Sequence, residues 1–516
     1  MALKVDGKPC YGSLATGPGM SGSLSDSETV PHLIPAPGPE PQKWQPMSKQ
    51  ELEFAAGGAG WRKVRCHLVL VFWLCWLGML GAAITIIVQS PRPIAPALLW
   101  WQRALFYRIQ PSVFTDAQNE VPSGIHAVSE RLPYLKSLGV GAVVLEGLFR
   151  RDASPPNLTS VDVGTVPQVQ QLLMQCRKEG IRVVLSFCEL DLFGHQHSVA
   201  NGSDVTSELS GSIQNALRFW LEQGVAGFEI CDTDMAYSPK TLTEWRVLVQ
   251  EFSTSDRERI VLVKQTGESL SALNTFGTST NHSLMEMVTR SLLPPAHHLL
   301  SRQEVAVAMD RLLSTPHGDI WPSWTVGGEA TPVFHRMLLV LMMTLPGSPV
   351  VKYGEEIVPS PNVSAQIQEH QADKTLGQGD SVGERTLKQS PSALFSSLSH
   401  CRQREESLLY GAFTLLPFNS TSLSSSNSTS ATQGPKSAPM LAFLRSWGCV
   451  HFLVLLNLGT ETRVLDPAWA PSLPHDGVFV TSTGLDRLGT ISLETLRIQP
   501  EEAVVIKLLE HRSYSP

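Results

Sequence analysis

A chain of 516 residues, 42% apolar and 17% charged, is long enough for two or three domains with a large core and too apolar to be disordered throughout. Its formal net charge of −7, with no extended Lys/Arg-rich block, provides no field to attract a polyanion, which excludes nucleic acid as a partner.

Residues 1–47 are rich in Gly, Pro and Ser and predict a disordered tail, after which Ser48 and Glu51 have the spacing of a capping box and start a short juxtamembrane helix. From His67 to Val88 the chain reads "HLVLVFWLCWLGMLGAAITIIV", an uncharged run long enough to cross a bilayer as a helix. Arg62, Lys63 and Arg65 crowd its N-terminal border, whereas Arg92 alone follows it closely. The positive-inside rule therefore predicts a type II, single-pass protein with residues 1–65 cytoplasmic, a transmembrane helix over 66–89 and everything later outside the cell. N-glycosylation acceptors at Asn157, Asn201, Asn281, Asn362, Asn419 and Asn427 all lie beyond the span. Cys10 falls on the cytoplasmic side and Cys66 and Cys75 in or at the span. Cys176, Cys188, Cys231, Cys401 and Cys449 face an oxidising exterior, an odd set that leaves one thiol free or paired with another chain.

A proline-stiffened neck over 90–103 ends in Trp100 and Trp101, placed to pack on the next domain or at the lipid headgroups. From Ala104 to about Leu408, short buried-type β runs alternate with amphipathic helices. The runs are "ALFYRI", 141–146, 181–187, 227–232, 259–265, a weak 283–289, 319–324 and 348–354. Eight strand-helix units predict a parallel (β/α)8 TIM barrel. Residues 409–516 read as a C-terminal antiparallel β-sandwich, with the Ser/Thr-rich "NSTSLSSSNSTSATQGPKS" as a solvated hairpin loop. The predicted class is thus α/β: one transmembrane helix, a barrel and a small sandwich.

The phrases "ERLPYLKSLGVGAVVLEGL", "FWLEQGVAGFEI" and "LPGSPVVKYGEEI", on a barrel followed by a sandwich, resemble the α-amylase clan of glycoside hydrolases. Retaining hydrolysis needs two carboxylates about 5 to 5.5 Å apart at the C-terminal strand ends. The resemblance implies that the family's active-site positions fall at Ser186, Glu229, Cys231, Gln265 and about Trp324, with Leu190 and Asp191 replacing an Asn-His pair. None has the required side chain, so the barrel is expected to be catalytically dead. Asp232 is one residue out of register and points off the axis, and Glu268 comes three residues late. Glu355 and Glu356 read as loop acids; His195, His197, His297 and His298 lack partners at ligand spacing, so no metal and no cofactor is expected. Cys188 and Cys231, near adjacent strand ends, form a candidate disulfide, its pairing left open.

The segment "MSKQELEFAAGGAGWRKVRCHLVLVFWLCWLGMLGAAITIIV", then "WWQRALFYRI", resembles the heavy subunit of heteromeric amino-acid transporters. The resemblance implies an ancillary glycoprotein that binds a multi-pass transporter light subunit, stabilises it and brings it to the plasma membrane. It also implies an adhesion or signalling adaptor that engages integrin-type receptors. In the span, Cys75, Gly78, Ala82 and Thr85 form a stripe of small residues that lets another helix approach, flanked by Trp73, Trp76 and Met79. The family's neck cysteine, which bonds the light subunit, aligns near Pro93 and is missing. The expected association is therefore non-covalent, through span and ectodomain, or the partnership has diverged.

Overall fold

The computed structural model describes residues 47–89, 95–114, 124–153, 156–193, 203–254, 257–266, 284–296, 298–314, 320–357, 392–416, 440–465 and 473–509. Its chain divides into two units, Met1–Pro91 and Arg92–Pro516.

In the first unit, α1 (Lys49–Ala56) starts at the capping box read from the sequence: Ser48 Oγ accepts from Glu51 N at 3.4 Å, and Ser48 N donates to Glu51 Oε2 at 3.1 Å. The second helix, α2, runs Ala59–Gln89. Within it, the 29 residues Gly60–Val88 are long and apolar enough to cross a membrane, reaching roughly 43 Å at 1.5 Å per residue. The helix starts at Ala59 rather than at 66 because Arg62, Lys63 and Arg65 are good helix formers, so a charged turn continues the apolar one.

The second unit opens with α3 (Trp100–Arg103) and is built on eight parallel strands. These are β1 (Phe106–Ile109), β2 (Ala142–Leu145), β3 (Arg182–Ser186), β4 (Gly227–Cys231), β5 (Ile260–Lys264), β6 (Met287–Leu293), β7 (Trp321–Gly327) and β8 (Ser348–Lys352). They close in sequence order into a barrel, with Phe106 opposite both Ala142 and Val350. Alternate residues part the two layers of core. Phe106, Ala142, Val144, Val184, Ile260, Leu262, Met287 and Val350 fill the lower interior, where Trp101 and Ala104 plug the floor. Val143, Leu145, Val183, Leu185, Phe228, Ile230, Val261 and Val263 face the helices. Trp100 and Trp101 therefore pack on the barrel: Trp101 Nε1 donates to Glu258 Oε2 at 3.1 Å, Trp100 Nε1 to Glu258 O at 3.0 Å. Gly227 opens β4 because a Cβ there would lie 2.3 Å from Ile260 O.

Strands β6 and β7 lie two to four residues later than the apolar runs suggest. Their inner face is polar, with the buried hydroxyls of Thr289 and Ser323 3.2 Å apart, so hydrophobicity does not mark it.

Around the barrel stand α4 (Gly124–Glu130), α5 (Leu132–Ser137), α6 (Val166–Glu179), α7 (Ser203–Gln223), α8 (Pro239–Glu251), α9 (Arg302–Ser314), α10 (Pro332–Thr344), α11 (Ala393–Arg404) and α12 (Glu406–Leu409). Ten of the 13 residues of α10 are buried, on every side of the helix, as expected of one enclosed between two layers. Its second neighbour is a six-stranded antiparallel sheet, in spatial order Thr490–Ser492, Asp476–Ser482, Ala503–Leu509, Val450–Asn457, Met440–Trp447, Ala412–Leu416. Leu441, Phe443, Phe452, Val454 and Val505 on one face join the barrel's outer core. Met440, Leu453, Leu455, Val504 and Ile506 on the other pack with Leu465, Leu496 and Ile498 beside a two-stranded sheet, Arg463–Val464 with Arg497–Ile498. Among the described residues the sandwich is thus unequal, six strands against two.

Candidate functional site

The C-terminal ends of the barrel strands, where this fold places its chemistry, hold an ion cluster. The inward positions continue the alternation of the floor: from Phe106 to Arg108 on β1, and from Leu262 to Lys264 on β5. Arg108 grips Glu229 of β4 across the axis with two hydrogen bonds, Nη1 to Oε2 at 2.8 Å and Nη2 to Oε1 at 2.6 Å. Ser186 Oγ donates to the same Oε2 at 2.7 Å. Arg108 Nη1 also pairs with Glu146 Oε1, and Lys264 Nζ lies 3.6 Å from that oxygen. Burial alone would push the Glu229 carboxyl up; the charge and hydrogen bonds of Arg108, with Lys264 and Ser186, outweigh it and hold the group below the usual carboxylate range. Burial likewise pulls Arg108 down, and Glu229 and Glu146 carry it above the ordinary guanidinium value.

Two residues beyond Glu229 on the same face, Cys231 is bonded to Cys188, with Cα atoms 5.0 Å apart, tying the exits of β3 and β4. Of the five positions aligned with catalysis, Ser186, Glu229 and Cys231 meet here. Gln265 and Trp324 do not. Gln265 accepts from Arg290 Nε at 3.1 Å, and Trp324 lies in the helix-facing core with Nε1 donating to Pro346 O at 2.6 Å. Each is one residue out of phase with the inner face, whose members are Lys264 on β5 and Ser323 on β7. Asp232 also turns outward and accepts from Thr266 N at 2.8 Å. Arg108, Glu146 and Lys264 escape the sequence reading, although counting in twos from the apolar floor residues Phe106, Val144 and Leu262 leads to all three.

Chemically, the cluster is self-satisfied. Both Glu229 oxygens are engaged by fixed donors, the carboxylate has no exposed surface, and the sulfur of Cys231 is spent in a bond. A nucleophile and a protonated acid facing each other across a sugar-sized gap are not found among the described residues. At the rim, Glu356 takes hydrogen bonds from Tyr107 Oη at 2.8 Å and Gly354 N at 2.9 Å, and so fixes the loop after β8. Glu355 accepts from Lys352 N at 2.9 Å, and burial raises its carboxyl to about 7. A carboxyl raised in the folded state binds its proton more tightly than the unfolded chain does. Folding stability should therefore fall as pH rises from about 4.5 through about 7. Glu355→Gln should make that part of a Tm-against-pH curve less steep, Glu286 and Asp234, raised by burial to about 7 and about 6, supplying the slope that remains, and should leave the acid limb, set by depressed groups such as Glu229, unchanged.

On α2, the residues Cys75, Gly78, Ala82 and Thr85 are exposed, and Thr85 Oγ1 donates to Gly81 O at 2.8 Å, hiding its hydroxyl in the helix. A Cβ at Gly78 would meet nothing within 4 Å, and the Trp73 and Trp76 rings pack edge to face at 5.5 Å beside the stripe. Asn157 is exposed, its Oδ1 accepting from Thr159 N at 3.0 Å and Oγ1 at 2.7 Å. Asn201, Asn281, Asn362, Asn419, Asn427, Glu268, His195, His197 and His297 lie outside the described residues. His298 Nε2 is 3.2 Å from Glu304 Oε1.

Residues 36–107 match the family model described as Solute carrier family 3 member 2 N-terminus. The chain is 28% identical over 509 residues to the amino acid transporter heavy chain SLC3A2 of Oryctolagus cuniculus, covering 90% of this chain and 88% of that protein. It is 22% identical over 571 residues to the amino acid transporter heavy chain SLC3A1 of Homo sapiens, with 87% and 78% covered. Among solved structures it resembles an α-amylase of Geobacillus thermoleovorans in complex with acarbose (TM-score 0.53, 16% identity, 80% of this chain and 99% of that one). It also resembles an isomaltulose synthase of Klebsiella sp. LX3 (TM-score 0.52, 14% identity, 80% and 100%). At these identities the enzymes speak for the fold alone. Over 90% of its length the chain is thus similar in sequence to an amino-acid transporter heavy chain, and its second unit has a (β/α)8 barrel fold like that of these enzymes.

Proposed function

We propose that this chain is the ancillary glycoprotein subunit of a heteromeric amino-acid transporter. It binds a multi-pass light subunit without a covalent link, stabilises it and carries it to the plasma membrane, its barrel on the outer side as a type II protein. One observation carries the reading: similarity to transporter heavy chains that spans 90% of the chain, with a family-model match that includes the apolar helix Gly60–Val88. The closed ion cluster supports a non-enzymatic barrel, because the residues that would act on a glycoside are bound to one another. The small-residue stripe at Cys75, Gly78, Ala82 and Thr85 is the proposed contact with the light subunit's helices. Asn157 and the five further acceptors are the proposed glycan sites.

Co-expression with candidate light subunits tests the role. Amino-acid uptake and the surface level of one light subunit should rise with this chain, and no change for any of them would sink the proposal. In detergent the complex should run without a band of summed mass on non-reducing gels. Cys449 is the exposed free thiol of the described ectodomain, so a covalent band that Cys449→Ser abolishes would overturn the non-covalent association.

A further inference from the structure

Where the neck reaches the barrel, Ala95 and Pro96, the C-terminus of α11 and the short α12 enclose a cavity of about 470 Å³. That lies within the roughly 300–1,000 Å³ of small-ligand sites. Its polar walls can be reached from solvent, because Arg103, Arg404 and Glu406 are exposed and Tyr410 is half-buried. The two guanidinium groups come to it from separate elements, Arg103 from the last turn of α3 and Arg404 from the last turn of α11. Neither guanidinium makes a hydrogen bond or ion pair with another of the described residues. The elements that carry them are fixed nonetheless: Trp101 plugs the barrel floor, and Gln403 Nε2 donates to Gly139 O at 2.9 Å. An acid and an aromatic ring share the same cavity. Slight burial and Glu406 raise the Tyr410 hydroxyl, and the charge of Arg103 pulls it back, so all three groups act on one space. Trp447 packs edge to face on Tyr410, with ring centroids 4.6 Å apart, and holds that ring in place.

One cavity therefore offers a pair of fork-shaped donors suited to an oxyanion, and a carboxylate with a π face suited to an ammonium group. A lone anion would answer the arginines and be repelled by Glu406; a lone cation would meet the reverse. A zwitterion that carries both groups answers both, and Leu409 with the neck residues gives its carbon chain an apolar side. In sequence, residues 90–94 alone separate this wall from the end of α2, the helix apolar enough to cross a membrane. The zwitterion present in quantity beside such a helix is a phospholipid headgroup. We propose that this cavity binds the phosphocholine headgroup of a membrane lipid, its phosphate on Arg103 and Arg404 and its trimethylammonium on Glu406 and Tyr410. The inference rests on α2 as a membrane span and needs no light subunit.

The test uses the full-length protein in a maltoside detergent free of choline lipids. Its Tm is followed by tryptophan fluorescence as glycerophosphocholine, the headgroup without its acyl chains, is added. A saturable rise in Tm is expected, with glycerol 3-phosphate and choline, at constant ionic strength, each about tenfold weaker because each keeps one half of the contacts. Arg103→Gln with Arg404→Gln changes two exposed positions, so the variant should fold as before and need about tenfold more glycerophosphocholine for the same rise. No saturable rise overturns the proposal, as does a double variant that responds like the wild type. The source is read in nanodiscs. In phosphatidylcholine the lipid should already fill the cavity and added glycerophosphocholine should raise Tm no further, whereas in phosphatidylglycerol the rise should return. An equal rise in both discs would make the occupant a soluble zwitterion and overturn the lipid assignment. A protein that responds in detergent and enters neither disc would overturn that assignment through the membrane span, with the cavity's chemistry intact.

Discussion

Glu229→Ala is expected to lower the unfolding free energy by about 3 kcal/mol, near the low end of the range for breaking a buried ion pair from one side. The cost arises because Arg108 stays behind, 3% exposed, with two donors emptied. Glu146 remains as its partner and keeps the loss from being larger. Replacing both ends should cost far less: in Arg108→Met with Glu229→Leu, the two most buried charges leave together, Glu146 keeps Lys264 Nζ at 3.6 Å, and the apolar floor extends upward by one layer. Chemical denaturation of the four proteins of this cycle measures the coupling. Additive single and double effects would show that the pair does not act as a unit.

The Cys188–Cys231 bond should have an effect of similar size by another route. It closes a loop with a sequence separation of 43 residues, for which the chain-entropy model gives about 4 kcal/mol of stabilisation, through the unfolded state. Reductant should shift the denaturation midpoint of the wild-type protein down to that of the Cys188→Ser, Cys231→Ser variant and leave that variant unmoved. Equal midpoints with and without reductant would remove the bond from the account. Cys231→Asp, which puts a carboxylate back on the catalytic strand, should not produce hydrolysis. It breaks the disulfide and sets a second acid two residues from Glu229 on the same face, where Arg108 is already engaged, so the expected result is a less stable, still inactive barrel.

The span and the barrel were legible because each rests on a local pattern: an uncharged run for α2, and apolar runs between amphipathic helices for the strands. Where the pattern is weak, as in β6 and β7, placement slipped, and with it the face assigned to Trp324. The ion cluster was not legible for a different reason. Arg108 and Glu229 are 121 residues apart and sit on strands that do not neighbour each other. They meet because closure of the barrel brings opposite walls together, and no property of either strand alone names its partner. Cys231 was legible as a lost carboxylate; that its neighbour Glu229 had acquired a fixed partner required the closed barrel.

The all-round burial of α10 bears on how this chain can be divided. Two domains drawn in sequence, barrel and sandwich, share that helix as a common wall, so neither has a complete surface without the other. Cutting the chain before Ala412 would uncover apolar side chains that no native solvent-facing layer replaces. The unit Arg92–Pro516 should therefore melt in a single step, and a protease should find no intermediate to trap between barrel and sheet. An insertion or tag is best placed elsewhere, because the line between the two domains marks a change of architecture and not a seam of weakness.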